Sequence, residues 1–291
     1  MAKIFYIEPI GKSSPDLFTT FTPTFTQQGH QVVDRVEDAD VVMYDAFSGL
    51  AEYDFELLTK VMEGKMPIVV FDETDFGGMS KEVWDKEVWE ILAAHQKLVY
   101  FMRKMSKDIQ YPSYVFPYEK IIQNDFPITT KEELCSRPYD FCFAGNKSPQ
   151  RVNTVKGFAK AGFSGMVYWT TDNEKLLHDE WVKFHRQAKL FLTADGGGFS
   201  DERPYQLFTI APMLRQKNNH LQSHPFKEFV NCLEVSEQPT EEEIKGIKAV
   251  LSDSDYLFEI YTEGIAHMRE YYSAEARSKY ILSILKQEGF V

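Results

Sequence analysis

Short apolar runs alternate with stretches of helical spacing along most of the chain. Residues 3–7, 31–33, 40–45, 67–71, 98–101 and 114–116 read as strands, rich in Val, Ile, Phe and Tyr. Between them, residues 16–28 place Leu17, Phe18, Phe21 and Phe25 on one helical face, with a kink expected at Pro23. Residues 53–63 read as an amphipathic helix stopped by Gly64, and residues 80–96 as another, with Trp84, Val88 and Ile91 on one side. Gly29-His30 ahead of Gln31-Val32-Val33 reads as a helix ending in a left-handed glycine and passing into a strand. Near-continuous apolar strands, rather than strictly alternating ones, point to a parallel sheet covered on both faces.

The pattern lapses over residues 117–138, where prolines and mixed charges show no period, and this stretch reads as a linker. Alternation then resumes. Strands are expected at 140–144, 166–169, 189–194 and 231–235, and another from the Ala211-Pro212-Met213-Leu214 run. Helices are expected at 149–161, ended by Gly162, at 174–188 and at 205–210, and a helical tail runs from Thr240 towards the end of the chain. The expectation is an α/β fold of two Rossmann-like domains facing a central cleft. The first spans residues 1–125 and the second 126–270, and a C-terminal helix in 271–291 packs back on the first. In open parallel sheets, ligands sit outside the carboxyl ends of the strands.

Composition narrows the picture. A 291-residue chain that is 43% hydrophobic and 14% aromatic is long and apolar enough for two cores. Its formal net charge of -12 argues against general nucleic-acid affinity, which rests on Lys and Arg at phosphates. Cys135, Cys142 and Cys232 lack metal-ligand spacing and read as buried free thiols in a reducing compartment. The N-terminus has no signal-peptide pattern, and no apolar run approaches a membrane span, so a cytoplasmic protein without a membrane partner is expected.

Candidate chemistry gathers at two loops of the second half. Residues 189–194 form a strand running into Gly196, Gly197 and Gly198, followed by Ser200-Asp201-Glu202-Arg203-Pro204, a helix start. Free backbone N–H groups in such a loop make an anion site, and Arg203 adds a planar cation. The loop after residues 140–144 is the second anion candidate. Ser148 caps and Pro149 starts a helix flanked by Lys147 and Arg151. In the first half, Asp72 and Asp75 lie just past a strand end, placed for general-base work or for capping their own loop. His30, His178, His185 and His220 share no metal-binding spacing. His178 and His185 read as a polar helix face beside Lys183 and Arg186. The Asp38-Ala-Asp40 and Asp253-Ser-Asp255 triplets read as a strand entry and a turn cap, and no metal site is expected.

These residues carry a resemblance. Gly29-His30-Gln31-Val32 resembles the Gly-His-x-Val turn of GT-B glycosyltransferases. Arg203-Pro204-Tyr205-Gln206-Leu207-Phe208, with Ala211-Pro212-Met213-Leu214, resembles their donor-binding motif. A narrower likeness is to phage DNA β-glucosyltransferases. Gly145-Asn146, Lys147 and Ser148-Pro149-Gln150-Arg151 stand in that family's order of a glycine loop, a basic residue and Ser-x-Gln-Arg. Arg203-Pro-Tyr-Gln206 stands where that family has Arg-x-x-Glu, with glutamine replacing the glutamate that holds the ribose hydroxyls.

The resemblance implies a glycosyltransferase that takes sugar from a nucleoside-diphosphate sugar, a UDP-sugar first, to an acceptor hydroxyl, with no cofactor or metal required. Gly145, Asn146, Lys147, Arg151, Gly196, Gly197, Gly198, Arg203 and Gln206 would bind the donor, and Asp75 or Asp72 would be the catalytic base. The first domain would take the acceptor: a glycan, a small molecule, or a hydroxymethylated DNA base, the last disfavoured by the acidic charge. A nucleotide-sugar epimerase or hydrolase of the same fold, and a non-catalytic nucleotide-sugar-binding module, are the alternatives.

Overall fold

A computed structural model describes residues 1–7, 17–45, 59–61, 63–72, 97–102, 105, 107–108, 110, 113–118, 121–122, 125–170, 172, 176–194, 203–217 and 221–291. The first described elements are β1 (Lys3–Ile7), α1 (Leu17–Gln27), β2 (Gln31–Val32), β3 (Val41–Asp45), β4 (Ile68–Asp72), β5 (Leu98–Met102) and β6 (Val115–Pro117). Next come α2 (Lys131–Cys135), β7 (Tyr139–Gly145), α3 (Pro149–Lys160), β8 (Gly165–Trp169), α4 (His178–His185) and β9 (Ala188–Thr193). The chain continues with α5 (Arg203–Leu207), β10 (Met213–Gln216), β11 (Leu233–Val235), α6 (Glu241–Ser252), α7 (Ser254–Tyr272) and α8 (Ala274–Gln287). The helix expected at 80–96 and most of the one at 53–63 lie outside the described residues. The chain divides into two compact units. One comprises Met1–Glu119, His220–Ser223 and Ser273–Val291, the other Lys120–Asn219 and His224–Tyr272.

The first unit is a parallel sheet in the order β2-β1-β3-β4-β5-β6. Its strands are apolar throughout because each face has its own core. Ile4, Val41, Met43, Val69, Phe71, Val99 and Phe101 point one way, against Phe21 and Phe25 of α1 and Ile281, Leu282 and Leu285 of α8. Their neighbours Val42, Tyr44, Ile68, Val70, Leu98 and Tyr100 point the other way. This is the two-residue period of a strand with both faces covered. Helix α1 runs on through Pro23. Phe21 and Phe25 on either side are fully buried, and two such side chains stabilise by about 3–6 kcal/mol together, enough to offset one lost helical hydrogen bond. Gly29 takes a φ of +86°, the left-handed stop expected there, and His30 behind it is buried, its Nδ1 accepting the Ala2 N–H at 3.4 Å.

The second unit is a parallel sheet in the order β11-β10-β9-β7-β8. Residues 120–138 belong to it and are not a linker. Thr130 caps α2 by accepting the Glu133 N–H, and Thr129 and Arg137 on either side are buried. The Arg137 guanidinium donates to the carbonyls of Ala188 and Ile210, each at 2.9 Å, and to Thr129 Oγ1 at 2.9 Å. Leu134 is buried in the core, with Ile122 and Phe126 packed against it, but these apolar positions are irregularly spaced and side-chain-to-backbone hydrogen bonds hold the rest, so the segment shows no hydrophobic period. Helix α4 is shorter than expected, because Ala188 is drawn into β9 as a buried strand residue.

Candidate functional site

The site is built on β7, which lies between β9 and β8 in the second unit's sheet. The register pairs Cys142 with Phe191 and Gly145 with Trp169. Three residues beyond Cys142 and Phe191, the strands deliver Gly145 and Ala194 to the same carboxyl edge. The chain turns there through Asn146 and Lys147 into α3. Ser148 Oγ accepts the Arg151 N–H at 3.3 Å, and Pro149 opens the first turn, where its missing N–H costs nothing. Gly157 lies farther along α3, where a Cβ would come within 2.6 Å of Pro239 Cδ, so only glycine lets the helix seat so closely. The result is a twelve-residue helix whose positive end is held at the loop.

That loop is fastened on both sides. Towards β9, Arg151 donates from Nε to the Ala194 carbonyl at 2.9 Å and from Nη1 to the Asn146 carbonyl at 3.2 Å, with its guanidinium 5.8 Å above the Phe143 ring. Towards β8, Thr170 N–H donates to the Gly145 carbonyl at 3.0 Å, and the Thr170 hydroxyl donates to Asn146 Oδ1. Lys147 Nζ lies 6.0 Å from the Trp169 ring and forms an ion pair with Asp172. Thr170 and Asp172 escaped the sequence reading because they stand more than twenty residues from the loop. The one signal for them was that the strand before Thr170 had to pair beside Gly145.

The other edge of the sheet is tied by Glu243, at the third position of α6. It accepts from Lys217 Nζ at 2.9 Å, Ser236 Oγ at 2.8 Å and the Thr240 N–H at 2.9 Å. Burial by itself raises its pKa, but these bonds outweigh burial and hold the carboxyl at about 2. The same bond raises the Lys217 ammonium above its ordinary value.

Gln206 lies on α5, half-buried, four residues before Ile210, whose carbonyl Arg137 holds. Helix α5 ends at Leu207, earlier than expected, and an apolar cavity lined by Phe191, Pro204, Phe208, Met213, Tyr261 and Met268 lies against it. Arg203 begins α5, and its side chain lies outside the described residues, as do Gly196, Gly197, Gly198, His220 and Asp75. Asp72 is the last residue of β4, paired with Met102, at the carboxyl edge of the first unit's sheet.

Three smaller expectations change. His185 does not lie on a polar face: it is fully buried, its Nδ1 bonded to the Trp181 carbonyl at 2.8 Å and its ring between Trp181 and Phe184. Cys142 and Cys232 are buried, but Cys135 is partly exposed. Burial pushes the Cys232 thiol up to about 12. Asp253 caps the N–H groups of Asp255 and Tyr256, as expected, and Asp40, at the entry to β3, accepts the Lys3 N–H. Among the described residues no helix is long and apolar enough to cross a membrane.

No family model and no curated protein matches the chain. Solved structures do. Anabaena HepE in complex with UDP and glucose aligns at a TM-score of 0.57 and 10% identity, over 99% of this chain and 100% of that one. An alpha-glucosyltransferase in complex with UDP and a 13-mer DNA containing an HMU base aligns at 0.57 and 10% identity, over 98% and 99%. Sucrose-phosphate synthase from Thermosynechococcus elongatus aligns at 0.54 and 9% identity, over 99% of each chain. With two parallel α/β sheets in two units, the chain has the GT-B fold of two Rossmann-like domains.

Proposed function

We propose that the chain is a glycosyltransferase that moves a sugar from a UDP-sugar to an acceptor hydroxyl. The observation that carries the reading is the β7–α3 loop: a helix N-terminus and two cations, fixed to the ends of both neighbouring strands, in a GT-B fold whose α5 begins Arg203-Pro204-Tyr205-Gln206. HepE and the alpha-glucosyltransferase with which the fold is shared were each captured with UDP.

In this reading the diphosphate lies over the N-terminus of α3, against the backbone of Gly145 and Asn146 and of Gly196, Gly197 and Gly198. Lys147, Arg151 and Arg203 supply positive charge. A leaving group that gains negative charge in the transition state is stabilised by such preset donors, and no metal is required for that role. Gln206 hydrogen-bonds the ribose diol without adding charge. Asp75, or Asp72 at the end of β4, takes the proton from the acceptor hydroxyl. The first unit carries 14 Lys and Arg against 22 Asp and Glu, a net -8, which opposes a polyanionic acceptor such as DNA and favours a glycan or a neutral small molecule.

The test is calorimetric titration with UDP, followed by transfer assays from UDP-sugars. Saturable UDP binding is expected. Either Asp75→Asn or Asp72→Asn is expected to lower turnover by roughly 10²–10⁴ with donor affinity kept. Absence of nucleoside-diphosphate binding would overturn the reading. Binding with sugar release to water alone would reassign the chain as a hydrolase.

A further inference from the structure

The Lys147 cation, two residues before the start of α3, is paired with Asp172. The pairing follows from the backbone and not from two long side chains meeting by chance. Strands β7 and β8 run in parallel register to Gly145 and Trp169. Beyond that point the Thr170 N–H bonds the Gly145 carbonyl, the Thr170 hydroxyl bonds Asn146, and the Asp172 N–H bonds the Trp169 carbonyl at 3.2 Å. The tight turn from Trp169 to Asp172 therefore brings a carboxylate beside the residue that precedes the Ser148 cap. A carboxylate there meets the same ammonium that attracts a phosphate to this helix start.

We propose that Asp172 is an internal counter-anion that competes with the donor's diphosphate for Lys147 and so sets nucleotide affinity. The inference rests on the donor reading above. Both side chains are 45% exposed, so the pair is weak and solvent-screened. A diphosphate carries more charge and reaches more of the loop's N–H groups than one carboxylate does, so it displaces Asp172. When the nucleoside diphosphate leaves, Asp172 returns to Lys147, and the cation is never left without a partner. The device lowers affinity for donor and product alike and speeds product departure.

Calorimetry with UDP and with uridine, on wild type, Asp172→Asn and Asp172→Ala, tests this. Removing the competitor is expected to tighten UDP binding roughly two- to fivefold, the scale of an exposed ion pair, and to leave uridine binding unchanged. In a Lys147→Met background the same Asp172→Asn change is expected to have no effect on UDP. Asp172 lies at an exposed turn, and circular dichroism of both variants checks that the fold persists. Unchanged or weaker UDP binding by both variants overturns the inference and leaves the donor reading standing, as does an equal gain for uridine. If wild type and variants all fail to bind UDP, the donor reading falls and the inference with it.

Discussion

Replacing Glu243 with Gln keeps the side chain's shape and removes its charge, which makes the tie between β10, β11 and α6 measurable. The Glu243 carboxylate accepts hydrogen bonds from Lys217 Nζ, Ser236 Oγ, the Ser236 N–H and the Thr240 N–H, and its side chain is only 9% exposed. Burial acts against the charged form, yet the bonds hold the folded pKa at about 2, against an ordinary value of 4.5. At about 1.36 kcal/mol per pH unit, the gap corresponds to roughly 3 kcal/mol of stability at neutral pH. The sign follows from the folded value lying below the unfolded one. The contribution is complete above about pH 4.5 and is lost as the pH falls through about 2. At pH 3 somewhat under half of it remains. Glu243→Gln is therefore expected to destabilise the second unit by about 2–3 kcal/mol at pH 7, less than the full figure because glutamine still makes some of the bonds, and by about half as much at pH 3. The assay is denaturant unfolding at the two pH values, followed by tryptophan fluorescence, since Trp169 and Trp181 both report on the second unit. An equal penalty at both pH values would refute the reasoning, because it would place the stabilisation in packing and not in the charge.

Arg151→Ala removes the hydrogen bonds to the Ala194 and Asn146 carbonyls, which together tie the β7–α3 loop to the end of β9, and UDP affinity is expected to fall by about 1–2 kcal/mol in calorimetry. Lysine carries the charge but cannot span two carbonyls, so full recovery in Arg151→Lys would show that charge alone matters. Gly157→Ala gains about 1 kcal/mol of helix propensity but forces a Cβ to within 2.6 Å of Pro239. Overpacking of this kind costs about 1–3 kcal/mol, so the melting temperature is expected to fall, and a rise would refute the close seating of α3. With the Cys232 thiol pushed up to about 12 and Cys142 buried, only Cys135 is expected to react quickly with a thiol reagent at pH 8. Rapid modification of a second cysteine would contradict the packing.

The sheets were legible in the sequence because parallel strands covered on both faces leave unbroken apolar runs. Val41–Asp45, Ile68–Asp72 and Leu98–Met102 are such runs, and their ends fall within a residue or two of where the pattern put them. The Ser148-Pro149 helix start was legible for a local reason, since cap and first turn are set by neighbours. Residues 120–138 were not legible. Arg137 holds that segment through carbonyls of Ala188 and Ile210, dozens of residues away, and such bonds leave no periodic trace. His185 was misread for a related reason. Its helix is short and polar in sequence, but the Trp181 and Phe184 rings close over it in the folded unit.

The candidate site divides along the same line. Spacing located Lys147 and Arg151 at a helix N-terminus, but it could not say what those cations face before a ligand arrives. In the folded unit Arg151 faces two carbonyls and Lys147 faces Asp172. Arg151 therefore fixes the distance between two strand ends, and a diphosphate bound as proposed would meet its charge without breaking its bonds. Lys147 is different, because a phosphate at that point must exchange with a carboxylate. Two basic residues in one motif thus make unequal contributions: one is spent on geometry, and the other on a competition whose outcome depends on the charge of the ligand. The affinity of this loop for an anion follows from the difference between that ligand and Asp172, not from the number of cations the motif contains.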